Sequence, residues 1–171
     1  MILTGSYNRS LDEKLRVAIP KEVRDVLLLQ SGGAMYVAPG TDGSLVLYTE
    51  AEFSRFAERL EASSPTQQNV RAFIRLFYSQ AHRVEVDRQG RIRIPPELAE
   101  RAKLKKDVML LGVRDHLELW DLQQWQAYWA NKSDDYDNRQ LRKSRTYAVP
   151  APEISRFSGP ARHPSGSDWK S

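Results

Sequence analysis

Asp12-Glu13-Lys14-Leu15-Arg16-Val17-Ala18-Ile19-Pro20 is answered, 75 residues later, by Asp87-Arg88-Gln89-Gly90-Arg91-Ile92-Arg93-Ile94-Pro95. In each stretch an acid precedes an arginine by four positions, and a short apolar strand then runs to a proline. Side chains alternate along such a strand. Val17 and Ile19 therefore share one face and Arg16 and Ala18 the other; in the second copy the isoleucines oppose the arginines. A unit that joins charge at a turn to a hydrophobic strand, present twice, describes a pseudo-symmetric surface offering the same chemistry twice. A repetitive partner suits that surface, and nucleic acid is the first candidate.

Outward from each motif the order of elements repeats. Pro20 suits the first turn of a helix, where its missing N–H costs little. Lys21 to Leu29 reads as that helix, with Val23, Val26, Leu27 and Leu28 as its apolar stripe and Ser31-Gly32-Gly33 as its end. A strand at 34–38, a turn at Pro39-Gly40-Thr41-Asp42-Gly43 and a returning strand at 44–48 follow. Thr49 and Glu52 form a capping box for a helix over about 50–60. After the second motif come a helix from Pro95-Pro96 to about Lys103, a strand at 108–113, a tight turn at Arg114-Asp115, a strand at 116–120 and a helix capped by Asp121 with Gln124. Trp120 falls where Tyr48 falls and Trp125 where Phe53 falls, at an offset of 72 because the first copy has the longer loop. Between the copies, Ser63-Ser64-Pro65 breaks the chain and a helix spans about 67–79 with Val70, Phe73, Ile74 and Phe77 on one face. A strand at 83–86 leads into the second motif. Phe53, Phe73, Phe77, Trp120 and Trp125 sit at packing spacings and are expected in the core.

The composition bounds the function. The 171 residues suit one domain or two small ones, with 40% hydrophobic and 28% charged residues. No apolar run reaches the roughly 20 residues that span a bilayer, and the N-terminus carries no secretory pattern. Cysteine is absent, which excludes disulfides and thiolate metal sites and fits a reducing cytosol. His82, His116 and His163 are dispersed without metal-ligand spacing, and no nucleophile elbow, Walker A or dinucleotide fingerprint occurs. Neither an enzyme nor a cofactor is expected, nor a small-molecule substrate. The net charge is +4. Residues 131–171 hold eight Lys or Arg against five Asp or Glu, and 1–130 hold 18 against 17. A nucleic-acid surface on the folded part must therefore come from local placement. From Asn131 the periodicity stops and Ser, Pro, Asp and Arg dominate, so 131–171 is expected to be a disordered tail. Its Arg139, Arg142, Lys143 and Arg145 would make it a basic arm with sequence-independent attraction for phosphate.

The order S-L-D-E-K-L-R-V-A-I-P, G-S-L-V-L-Y, R-A-F-I-R-L-F, D-R-Q-G-R-I-R-I-P and L-E-L-W resembles the MraZ family over about residues 1–130. That resemblance implies a mainly β fold with packed α-helices, a duplicated swapped-hairpin AbrB-like β-barrel. Its first unit would cover 6–53, connecting helices 54–80, and its second unit 81–128. It also implies a ring-shaped homo-oligomer, with the strip around Phe73 to Phe77 helping to join subunits. The ring would bind tandem repeats of double-stranded DNA upstream of its own operon in the division and cell-wall gene cluster, usually as a repressor. Such a protein is cytoplasmic and nucleoid-associated. Related AbrB-type barrels take an antitoxin-like, protein-binding role, which is the alternative. Two departures stand out: Leu15 replaces the family's usual glycine in the first motif, so that turn either differs or is strained, and the tail runs past the family's usual end near Ala130.

The chemistry of the motif narrows the candidates. Arginine pairs bidentately with phosphate or with guanine in the major groove. Arg9, Lys14 and Arg16 lie on or beside the first turn, and Arg88, Arg91 and Arg93 on or beside the second. By resemblance Lys14 and Arg16, and Arg88 and Arg91, match the basic positions of the family motif. Asp12 and Asp87 repel phosphate, so their expected role is to orient the arginine or close the turn by accepting backbone N–H groups. An isolated acid and arginine at this spacing is only a surface ion pair worth about 0–1 kcal/mol; duplication is what raises it to a candidate site.

Overall fold

The computed structural model describes residues 2–31, 33–63 and 68–146. Contacts divide the chain into one unit at Met1–Ser133 and another from Asp134 onward. The first unit is mainly sheet with several helices. It opens with β1 (Ser6–Ser10), β2 (Arg16–Ala18), α1 (Lys21–Ser31), β3 (Ala34–Pro39), β4 (Leu45–Thr49) and α2 (Glu50–Ser63). After α3 (Gln68–Ser79) the same series returns as β5 (His82–Glu85), β6 (Arg91–Arg93), α4 (Pro96–Arg101), β7 (Asp107–Val113), β8 (His116–Asp121) and α5 (Leu122–Thr146).

The repeat does not make two side-by-side domains. One six-stranded sheet runs β1-β7-β8-β4-β3-β5, and β2 pairs with β6 in a separate two-stranded ribbon. Exchanging each strand for its repeat counterpart reverses the sheet order, so a pseudo-two-fold axis passes between β4 and β8. The registers obey it. Leu45 faces Leu119 and Leu47 faces Leu117, while in the ribbon Val17 faces Ile92 with Arg16 opposite Arg93 and Ala18 opposite Arg91. Each half lends a strand to the other, because β1 pairs with β7 and β5 with β3. The expected closed barrel is not what forms. The sheet ends at β1 and β5, and the ribbon strands stop after three residues, close to Pro20 and Pro95, which lack the N–H a longer ladder would need.

Two apolar layers hold the unit together. Val17 and Ile92 from the ribbon, Ile19 and Ile94 just past its strands, Leu98 from α4 and Leu45, Leu47, Leu110, Leu117 and Leu119 from the sheet form the larger core. The alternation read in the motif is thus the inward face of the ribbon, with Val17 and Ile92 fully buried. On the opposite face of β4, Val46 and Tyr48 join Ala38, Phe53 and Phe77 beneath α2 and α3. The matched aromatics occupy matched places: Tyr48 lies 6.2 Å from Phe53 and 5.6 Å from Phe56, and Trp120 lies 5.6 Å from Trp125 and 5.0 Å from Tyr128. Both caps form in part. Thr49 Oγ1 accepts the Glu52 N–H, and Asp121 Oδ1 accepts the N–H groups of Gln123 and Gln124. The glutamine and glutamate turn elsewhere, Gln124 to the Ala102 carbonyl and Glu52 to Arg55.

Two expectations differ from the structure. Phe73 stacks on Phe77 but is 43% exposed, and Leu76 beside it is 63% exposed, so the apolar stripe of α3 is only partly covered. Residues 131–146 are helical, continuing α5 rather than starting a disordered tail. Composition argued against order there, but a helix already nucleated and capped at Asp121 extends at little cost per residue. The remainder of that expected tail, 147–171, lies outside the described residues, as do the side chains of Arg139, Arg142, Lys143 and Arg145. No helix among the described residues is long and apolar enough to cross a membrane.

Candidate nucleic-acid interface

The two motifs fold into the same turn. Asp12 Oδ1 accepts the backbone N–H groups of Lys14 and Arg16, each at 2.9 Å; Asp87 Oδ1 accepts those of Gln89 and Arg91, also at 2.9 Å. The Asp12 N–H donates to the Arg16 carbonyl, and the Asp87 N–H to the Arg91 carbonyl. Each arginine then folds back on its aspartate, Arg16 Nε at 2.7 Å from Asp12 Oδ2 and Arg91 Nη2 at 2.9 Å from Asp87 Oδ2. The four-residue spacing is therefore the span of one closed turn. Leu15 takes φ 56 where Gly90 takes φ 76, so the leucine adopts the glycine conformation. Left-handed backbone costs an L-residue about 1–2 kcal/mol. Leu15 recovers part of that by packing its half-buried side chain on the core.

The turns also lock each half to the other. The Ile19 N–H donates to the Gly90 carbonyl at 2.9 Å, and the Ile94 N–H to the Leu15 carbonyl at 2.8 Å. Arg91 Nη1 lies 3.9 Å from Asp12 Oδ2, joining the two turns across the ribbon. Both carboxyls are held below the ordinary aspartate value, first by the backbone N–H of the motif arginine, then by its guanidinium and the second N–H, against the opposing effect of desolvation.

Arg16 and Arg91 lie on the ribbon, Lys14 and Arg88 lie in the turns that lead into it, and the structure sorts the four into two kinds. Arg16 and Arg91 are half-buried and ion-paired. Lys14 and Arg88 are exposed, and no hydrogen bond or ion pair engages their side chains among the described residues. Arg93 is a third such cation, lying on β6 opposite Arg16. Arg9 lies on β1 of the sheet, where its guanidinium donates to the Asn8 carbonyl and lies 5.7 Å from the Tyr7 ring. Sequence reasoning missed Arg24. It sits on α1, and a Cβ placed on Gly90 would overlap its Nη1 and fall 2.9 Å from its Cζ. The repeat hides it, because its counterpart at an offset of 75 is Ala99.

A separate polar cluster joins α2 to the β7–β8 turn. Asp115 meets Arg59 at 3.4 Å, Arg114 at 3.2 Å and His116 Nδ1 at 2.8 Å, while Glu118 lies 3.6 Å from His116 Nε2 and accepts the Trp120 indole N–H at 2.8 Å. Burial works against an imidazolium at His116, but the hydrogen bonds to Glu118 and Asp115 outweigh it and raise the pKa. His82 pairs with Glu97.

A duplicated chain whose halves exchange strands, and whose paired motif turns stand side by side on a two-stranded ribbon, defines a class of two-fold β-ribbon proteins built within one polypeptide. The chain belongs to the MraZ family. It matches the family described as "MraZ protein, putative antitoxin-like" twice, over residues 2–76 and 77–144, so the match runs past the expected end near Ala130. A protein named Transcriptional regulator MraZ from Acetivibrio thermocellus is 41% identical over 124 residues, covering 72% of this chain and 84% of its own length. Those of the same name from Finegoldia magna and Heliobacterium modesticaldum are 36% and 37% identical, each covering 78% of this chain and 91% and 90% of their own lengths.

Proposed function

We propose that this protein is a sequence-specific DNA-binding transcriptional regulator and not an enzyme. The observation that carries the reading is the ribbon with the two turns that lead into it, where Lys14, Arg88 and Arg93 have no acidic partner among the described residues. A two-stranded ribbon fits the major groove, about 12 Å wide. Arg16 and Arg91, held by their aspartates, set the shape of the turns and border the groove side. Arg9 stays in the site as an outlying contact from β1. The relatives' shared name supports the regulatory role.

The finer features belong to the same proposal. The strand exchange of β1 and β5 supports a swapped-hairpin, AbrB-like arrangement with units at 6–53 and 81–128 joined by helices at 54–80. The uncovered strip at Phe73 and Leu76 supports assembly of a homo-oligomeric ring. A ring presenting many ribbons gains avidity on tandem repeats, because each further contact is effectively intramolecular. On this reading the protein represses its own operon in the division and cell-wall cluster, from the cytoplasm and the nucleoid.

The test is a salt-controlled binding assay on DNA fragments selected from the genome. Arg16→Ala is expected to weaken binding by at least about 1 kcal/mol while assembly persists. Unchanged affinity would remove Arg16 from the site. The antitoxin-like alternative, a protein-binding module, separates by salt: a phosphate reader loses affinity steeply as salt rises, and an apolar protein interface does not.

A further inference from the structure

The repeat invites the view that the two turns grip DNA equally. The side chains say otherwise. At the tip of the first turn stands Glu13; at the matched position of the second stands Arg88. On the outer face of the ribbon the first half offers Ala18 where the second offers Arg93. Against the second turn lies the Arg24 guanidinium, packed on Gly90, whereas the matched residue on the other side is Ala99. Over 12–18 the chain holds two acids and two bases; over 87–93 it holds one acid and three arginines. Lys105 and Lys106 do flank the first turn, across a cleft of about 580 Å³, but Asp12 and Glu13 line the same cleft and offset their charge.

We propose that the two motif turns are functionally unequal: the second is the phosphate anchor, gripping the DNA backbone through Arg88, Arg93 and Arg24, and Arg24 is a DNA-contacting residue supplied by the first half to the turn of the second. Gly90 is the enabling residue. Its lack of a Cβ is what lets the guanidinium lie on the turn, and among the described residues no ion pair engages Arg24 there. The first turn, with Leu15 on the core and Glu13 at its tip, contributes shape and the single exposed cation Lys14. Glu13 repels the backbone on that side, which tilts the grip toward the second turn.

This inference rests on the DNA-binding reading, and the experiment separates the two. The full chain is titrated with a random-sequence duplex and with the fragment upstream of its own gene, across a salt series. Arg24→Gln, Arg93→Gln and Lys14→Gln are compared with the unaltered protein. Each lost phosphate contact lowers the salt slope by about 0.9 and the affinity at 0.15 M salt about fivefold. Arg24→Gln and Arg93→Gln are expected to show that loss on both duplexes and Lys14→Gln a smaller one. Arg24→Lys, which keeps the charge, is expected to restore the slope; equal loss in Arg24→Lys and Arg24→Gln would assign Arg24 to packing alone and overturn its role. Glu13→Arg is expected to strengthen binding. Should the unaltered protein bind while Lys14→Gln loses more than Arg24→Gln and Arg93→Gln, the inequality is refuted and the DNA reading stands. Absence of salt-dependent binding by the unaltered protein refutes both.

Discussion

Replacing Leu15 by glycine and by alanine measures the strain in the first turn. Both substitutions delete the same half-buried side chain, so the difference between them isolates the backbone. At φ 56 alanine keeps a penalty of about 1–2 kcal/mol that glycine avoids. Glycine in turn gives up about 0.5–1 kcal/mol through the larger freedom of its unfolded chain. The balance favours glycine by about 0.5–1 kcal/mol, the reverse of the ordinary order. Losing half of a leucine's burial costs about 1 kcal/mol, so Leu15→Gly should lie close to the natural protein and Leu15→Ala about 1 kcal/mol below it. Gly90→Ala at the matched position should cost at least about 1 kcal/mol, because it adds the same strain and also displaces Arg24. Urea unfolding followed by tryptophan fluorescence, at one protein concentration, gives the midpoints and slopes. An alanine variant as stable as the glycine variant would show that residue 15 is not held left-handed in solution. The equivalence of the two turns would then be lost.

Other consequences follow from the same contacts. Asp12 and Asp87 have depressed pKa values, so the stability they confer is present above the ordinary aspartate range and is lost as pH falls through their folded values; Asp12→Asn with Asp87→Asn should flatten the acid limb of melting temperature against pH. His116 has a raised pKa, so its contribution is complete below the ordinary histidine value and fades as pH climbs through the folded one. Melting curves around neutrality should therefore show the natural protein losing more than His116→Gln as pH rises, and parallel curves would dismiss the ion-pair account. Phe77, buried among Phe53, Phe56, Phe73 and Tyr78, should cost about 3–5 kcal/mol on truncation to alanine, measured by urea unfolding.

Much of the fold was legible along the chain because its signals are local. The alternation of Val17 and Ile19 and of Ile92 and Ile94, the prolines that stop both strands, and the caps at Thr49 and Asp121 each depend on residues within a few positions of one another. So does the motif itself, since Asp12 and Asp87 reach the N–H groups two and four residues on. The candidate site was legible to the same extent: the turns, their aspartates and their basic neighbours could be placed, and the duplication pointed to a two-fold surface.

What spacing does not carry is partnership across the chain. That β1 joins β7 and β5 joins β3 is a pairing between segments far apart along the chain, a condition that no single segment expresses. That Arg16 and Arg91 are ion-paired while Lys14, Arg88 and Arg93 have no ion pair among the described residues depends on where the charged ends of the side chains come to lie, to within an ångström. Arg24 is the clearest case. Nothing in its neighbourhood along the chain marks it, yet packing α1 beside the second turn lays its charge on a glycine 66 residues away. The amino-acid order by itself determined two copies of one turn and strand; only the tertiary structure decided that the copies interlock and that their surfaces differ, because side-chain contact is set by distance in space and not along the chain.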